Sequence, residues 1–287
     1  DEARERAAQF LNCESSEVIF TGSGSEGNNF AIKGIVESKR DKGNHIITTK
    51  VEHPAVLNTC KYLAKTGFDV TFLDVDSDGM IDIEQLKKAI TPKTILITIM
   101  FANNETGVVF PIEEIGRIAK ERNIIFHTDA VQAAGKIPID IKKLNVDILT
   151  ISGHKLYAPK GVGAVYLKRG VRLVPLIHGG HHERNRRGGT ENVAGIAALG
   201  KACEIAVRDM KDESEKLAVL RDRLHKGLIE KIPHAKLNGH PEKRLPNTLN
   251  LSFEFVEGES LLLNMDMKGI AASSGSACTS GSLEPSH

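Results

Sequence analysis

Seven short segments in the first 168 residues are apolar without alternation: VIF (18–20), HIITT (45–49), VTFLDV (70–75), TILITIM (94–100), IIFHT (124–128), DILTIS (147–152) and GAVYLK (163–168). A strand with one solvated face alternates apolar and polar residues, whereas near-continuous Val, Ile and Leu runs mark strands covered on both faces. Helical spacing fills the intervals, at 25–40, 54–66, 82–90 and 111–122. This alternation predicts an α/β fold with a mostly parallel, mixed sheet flanked by helices. After Thr190 the period changes, and a helical tract from Glu191 to about Lys231 leads to a strand near Asn247 to Phe255 and a helix near 258–266. The change places a boundary near 205–215, giving a large domain over 1–210 and part of a smaller α+β domain over 211–287. No internal repeat is visible.

At 287 residues and 40% hydrophobic content the chain can bury a sizeable core. A net charge of +1, with basic and acidic residues interspersed, leaves no polyanion footprint and argues against nucleic acid and membrane surfaces as partners. The apolar runs fall short of a membrane span, and the charged first residues do not read as a signal peptide. The four cysteines, Cys13, Cys60, Cys203 and Cys278, show no paired spacing, which suggests a reducing compartment.

The stretch ISGHKLYAPKG places Lys155 where an apolar strand meets a glycine-rich turn. In a partly desolvated pocket the neutral amine is favoured, and a neutral lysine attacks aldehydes such as that of pyridoxal phosphate (PLP). Upstream, NIIFHTDAVQAAG delivers Asp129 at the C-terminal end of a buried strand, with Gln132 three residues on. Ligands of open α/β sheets bind at such strand ends. A PLP enzyme needs a carboxylate on the pyridinium nitrogen, and Asp129 can supply it.

Other motifs carry competing readings. Gly22, Gly24 and Gly27 satisfy the dinucleotide pattern G-x-G-x-x-G after a strand and before a helix, but the next strand ends in Thr48 and Thr49, where a ribose-binding acid is wanted. A phosphate site suits the same residues, since glycines let backbone approach closely and the helix start favours an anion. From Asp74 to Gln85 the chain mimics a calcium loop but lacks the final glutamate, so it reads as an acidic turn and helix start. His178, His181 and His182 could in principle hold a metal, yet glycines dominate that stretch, which reads as a subunit-interface loop with no metal. His127 reads as structural, and Cys13, Cys60 and Cys203 as small apolar residues.

Taken together, these segments resemble the cysteine desulfurases of the NifS/IscS class, PLP enzymes of the aspartate aminotransferase-like fold family and class-V aminotransferase type. The resemblance rests on seven segments in the family's order, of which SSGSACTSGSLEPSH is the most specific and places the catalytic thiol at Cys278. It implies that Ser152 and His154 bind the cofactor phosphate and that Lys155 holds PLP. It implies likewise that Asp129 partners the pyridinium, that Gln132 and Asn104 lie by the ring hydroxyl, and that His53 in VEHPAV stacks on the ring. Gly24 and Ser25 in GSGSEGNN fall in the phosphate cup, and Thr190 in RGGTENV matches a threonine that reaches the partner subunit's site in a homodimer.

The implied reaction converts L-cysteine to L-alanine and leaves the sulfur as a persulfide on Cys278, for an iron–sulfur scaffold or another sulfur acceptor, in the cytoplasm. Lys155 and His53 are the implied acid and base. The segment around Cys278 is small and polar, which suits a thiol that must meet substrate in a pocket and then carry sulfur outward. Selenocysteine lyases and aminotransferases of the same fold are alternatives, and an NAD-dependent oxidoreductase is the alternative from a different class. Relative to the family the chain opens inside a helix and stops at His287, before the family's substrate-carboxylate arginine, so the resemblance implies a piece of a longer protein.

Overall fold

The structure, a computed structural model, describes residues 1–274. Helix α1 (Glu2–Leu11) precedes β1 (Val18–Thr21), and α2 (Gly24–Ser38) leads to β2 (His45–Thr49). Then follow α3 (Pro54–Lys65), β3 (Asp69–Leu73), α4 (Ile83–Ala89), β4 (Thr94–Thr98), α5 (Ile112–Glu121) and β5 (Ile125–Asp129). Next come α6 (Ile141–Leu144), β6 (Ile148–Ser152) and β7 (Gly163–Leu167). A one-turn segment α7 (His182–Asn185) and the long α8 (Val193–Lys231) lead to β8 (Ala235–Leu237), β9 (Leu251–Phe253) and α9 (Gly258–Asp266).

Seven strands form one sheet in the order β1-β7-β6-β5-β4-β2-β3. The neighbours from β6 to β3 run parallel, while β7 is antiparallel to both β6 and β1. Adjacent strand residues point to opposite faces, so a two-sided apolar run must feed two cores. Ile46, Leu96 and Ile148 pack with Phe30, Ile35 and Val56 of α2 and α3, whereas Ile47, Ile97 and Leu149 pack with α1, α5 and α8 through Leu11, Ile115 and Leu199. This double coverage is what the unalternating Ile and Val runs dictate.

Local chemistry explains the starts of the helices that carry the site. Ser23 caps α2 by accepting the Glu26 amide at 3.1 Å, and His53 caps α3 through Nδ1, which accepts the Ala55 amide at 3.1 Å, with Pro54 at the first helical position. In the calcium-like stretch, Asp76 Oδ1 accepts the amides of Asp78 and Met80, Asp82 caps α4, and Asp74 pairs with Lys50 at 2.6 Å. Those carboxylates serve the turn and the helix start.

The second half departs from the sequence reading in detail. The expected strand near Asn247 to Phe255 shortens to β9, and its antiparallel partner β8 was not foreseen, because three residues show no readable period. Helix α8 runs unbroken through residue 210, where the sequence reading divides the chain. Among the described residues no helix is long and apolar enough to cross a membrane.

Candidate functional site

Because β6, β5, β4 and β2 are adjacent and parallel, their C-terminal ends open on one side of the sheet. Asp129 ends β5, Ser152 ends β6, and Lys155 follows in the 3-10 turn Gly153–Leu156. His53 lies just after β2, and Asn104 lies in the turn beyond β4. Asp129 is in register with Thr150, and its carbonyl accepts the Phe101 amide at 2.8 Å, so the exits of three strands are tied together around it. Lys155, Asn104, Gln132 and His53 are half-buried. The side chains of Lys155, Asn104 and Gln132 make no hydrogen bond among the described residues, which leaves them available to a ligand.

Asp129 is only 6% exposed. Its Oδ2 accepts Asn28 Nδ2 at 2.6 Å and its Oδ1 accepts the Val131 amide at 2.9 Å. Burial pushes its carboxyl above the usual carboxylate range, while these two donors and the nearby His53 pull it back down. No ion pair among the described residues includes it. Asn28 was missed in the sequence reading; its signal was a polar residue on the buried face of α2, four positions after Gly24.

The glycine turn meets the same place from the side. A Cβ on Gly24 would lie 2.9 Å from Val131 Cγ2 and 3.1 Å from Ser152 Cβ, so only glycine lets the start of α2 come this close to the β6 exit. Ser152 Oγ and His154 Nδ1 are 2.9 Å apart. The first amides of α2, those of Gly24 and Ser25, have no acceptor within the helix. His154 is exposed, and its imidazole is held below the ordinary value by partial burial and then by Lys155 and Lys160 nearby. These groups converge as donors for an anion.

The glycine pattern does not build a dinucleotide unit. Its leading strand β1 is an edge strand antiparallel to β7, and β2, which follows α2, lies beyond four other strands rather than beside β1. A dinucleotide-binding βαβ unit pairs its strands in parallel around the turn.

Thr190 lies in the loop that precedes α8. It is exposed and lines a cavity of about 100 Å³ with Gly22, Gly161, Arg187 and Asn192. Glu26 connects that loop to the glycine turn, since its Oε2 accepts the Gly22 amide at 2.9 Å and its Oε1 accepts Arg187 Nε at 2.9 Å. The histidines at 178, 181 and 182 form no metal-holding group, and none occurs elsewhere among the described residues. In the same loop Glu183 is buried and receives Arg4 through both guanidinium nitrogens, at 2.7 and 2.8 Å, and the Phe20 amide at 3.1 Å.

Two groups read as structural are structural. His127 is fully buried between Thr98 Oγ1 at 2.8 Å and Thr150 Oγ1 at 3.1 Å, and burial pushes its imidazole down to about 3. Burial pushes the thiols of Cys13, Cys60 and Cys203 up to about 12, which keeps all three protonated near neutral pH. Cys278 lies outside the described residues.

The profile of the aminotransferase class-V family matches residues 1–287. The chain belongs to the class-V aminotransferase family. Among its relatives, the cysteine desulfurase IscS of Clostridium botulinum (strain Hall) is 56% identical over 287 residues, spanning 99% of this chain and 72% of that protein. The solved structure of a NifS-like protein superposes with a TM-score of 0.91 at 41% identity, covering 95% of this chain and 75% of that one. A second, described as SspA in complex with cysteine, has a TM-score of 0.84 at 40% identity, covering 99% of this chain and 79% of that one. The class-V aminotransferase sheet, mixed and mostly parallel with helices on both faces, is thus shared with the NifS-like neighbour.

Proposed function

We propose that this class-V aminotransferase is a PLP-dependent cysteine desulfurase. The observation that carries the reading is the convergence of Asp129, His53, Ser152 and Lys155 on one side of the sheet, at or just past the C-terminal ends of the three parallel strands β5, β2 and β6. The relatives' names agree with it.

The residues present fit PLP. Asp129 is a buried carboxyl that forms no ion pair among the described residues, and a protonated ring nitrogen would complete it. The contact of Gly24 with Ser152, the Ser152 to His154 pair and the free amides at the start of α2 suit a phosphate. The Lys155 amine would hold the aldehyde, His53 would cover the ring, and Asn104 and Gln132 would meet the ring hydroxyl. When bound, PLP supplies an electron sink for negative charge at the substrate Cα.

Around that sink the chain's own groups have separate tasks. Lys155 takes the proton from the substrate Cα, and His53 moves a proton beside it. Asn28 and the Val131 amide orient Asp129. The Cys278 thiolate attacks the sulfur of L-cysteine: the new S–S bond forms as the C–S bond breaks, and the electron pair left on carbon is protonated to give L-alanine. The three other thiols, all held protonated by burial, leave Cys278 as the competent nucleophile of the chain.

In this reading the protein is a homodimer in which Thr190, exposed within its own chain, reaches the partner's phosphate site. The persulfide then passes to an iron–sulfur scaffold or another acceptor. The test is to load the full-length protein with PLP, add L-cysteine, and assay alanine and sulfide. Stoichiometric alanine with a borohydride-fixed cofactor on Lys155 supports the reading; an absence of both, or amino-group transfer to a keto acid in place of desulfuration, refutes it.

A further inference from the structure

Glu52 directly precedes His53, yet its side chain turns inward and the residue is 3% exposed. Its Oε1 accepts the Met100 amide at 2.8 Å and the Thr49 hydroxyl at 3.1 Å, so one oxygen joins the exit of β2 to the exit of β4. A second tie between the same segments runs from Asn103 Nδ2 to the Val51 carbonyl at 3.1 Å. The amide after Met100, that of Phe101, donates to the Asp129 carbonyl at 2.8 Å. Consecutive amides of the β4 exit therefore hold Glu52 on one side and Asp129 on the other. The remaining oxygen, Oε2, is buried and has no hydrogen-bond partner among the described residues.

An ionised carboxylate with one oxygen buried and unpaired is costly, whereas a carboxylic acid whose carbonyl oxygen accepts two donors is well accommodated. The titratable groups facing Glu52 are Asp129 on β5 and Cys60 on α3, neither of them a cation. Burial first, and then the charge of Asp129, push the Glu52 carboxyl up to about 8. Two carboxylates at this spot would repel each other, and only one is wanted beneath a cationic ring.

We propose that Glu52 is a positioning residue of the cofactor site: as a neutral, hydrogen-bonded carboxylic acid it locks the strand exits that carry His53 and Asp129, and its ionisation sets the alkaline limit of that site. The cofactor part of the statement rests on the desulfurase reading; the protonated state of Glu52 in the cofactor-free chain does not.

Two measurements on the full-length protein, made with Glu52→Gln and Glu52→Ala, test it. In the cofactor-free protein, infrared difference spectra between wild type and E52Q should show a protonated-carboxyl band at pH 7 that fades as pH rises through about 8. An unchanged carboxylate difference spectrum from pH 6 to 9 would overturn the neutral acid, whatever the protein binds. In PLP titrations across the same range, E52Q should match wild-type affinity within about threefold at pH 7 and lose the alkaline fall, because the amide keeps the acceptor for Met100 and Thr49 and cannot ionise. E52A should bind about tenfold more weakly at pH 7, the scale of one buried hydrogen bond. An alkaline fall in E52Q identical to that of wild type, or wild-type affinity in a folded E52A, would overturn the positioning role. If wild type itself binds no PLP, the desulfurase reading and the positioning role both fall, and the infrared result still decides the charge state.

Discussion

The protonated state of Glu52 predicts a pH dependence of folding that can be worked from the structure. The ordinary value of 4.5 applies to the unfolded chain, and burial with Asp129 nearby raises the folded value to about 8. Between those values the folded chain holds a proton that the unfolded chain has released. The associated stability is complete below about 4.5 and is lost as pH rises through about 8. At 1.36 kcal/mol per pH unit the whole loss is about 5 kcal/mol, of which about 3 kcal/mol falls between pH 5.5 and 8. Glu52→Gln removes the titration and keeps the shape. Its unpartnered amide hydrogens in place of Oε2 shift stability by a constant amount of roughly 1 to 3 kcal/mol, independent of pH. The informative quantity is therefore the change in the gap between variant and wild type, not the gap itself. Urea unfolding of the cofactor-free protein should show the E52Q midpoint gaining on wild type by roughly 1 M between pH 5.5 and 8, for a slope of about 3 kcal/mol per molar. Parallel pH profiles for the two proteins would refute the reasoning, because they would mean that Glu52 is ionised in the folded state and that Oε2 has a partner.

Four further outcomes are expected. Lys155→Ala should abolish alanine formation and borohydride fixation of the cofactor while PLP still binds through the Gly24 and Ser152 cup; fixation at another lysine, with colour unchanged, would displace the assignment. Cys278→Ser should keep PLP and its spectral response to L-cysteine but stop alanine production, since a serine hydroxyl is scarcely ionised near neutral pH and forms no persulfide; alanine at the wild-type rate would move the nucleophile elsewhere. Full-length protein should sediment as a homodimer, and Thr190→Ala should weaken PLP binding about tenfold, the scale of one hydrogen bond to a charged group; a monomer of full affinity would contradict the shared site. Arg4→Ala should cost about 3 to 5 kcal/mol in urea unfolding, because it strands the Glu183 carboxylate, whose side chain is 3% exposed; a loss below about 1 kcal/mol would show that the pair behaves like a surface ion pair.

Much of the candidate site was legible because the sheet converts local sequence into position. Asp129 and Ser152 each end an apolar run, and in a parallel sheet all such ends face one way, so residues found at run ends are residues found together. Gly24 was legible for a related reason, as a glycine at the junction of strand and helix. Asn28 and Glu52 were not. Each is a polar residue inside or beside an apolar pattern, and nothing within a few residues of either distinguishes a buried, partnered side chain from a solvated one.

What the sequence by itself determined is therefore the set of elements and the side of the sheet on which chemistry gathers, since both follow from periods of two to four residues and from caps such as Ser23 and His53 that act within three residues. The three-residue strand β8 escaped it, being too short to show a readable period. Only the tertiary structure decided the strand order, which puts β1 at an edge against β7 and removes the dinucleotide reading. It also decided the pairs that tune the site: Asn28 with Asp129, 101 residues apart, Glu52 with Met100, 48 apart, and Arg4 with Glu183, 179 apart. Those contacts depend on how whole elements pack, and the free energy of a buried polar group is set by whichever partner the packing brings within 3 Å, roughly one hydrogen-bond length, and not by its neighbours in the chain.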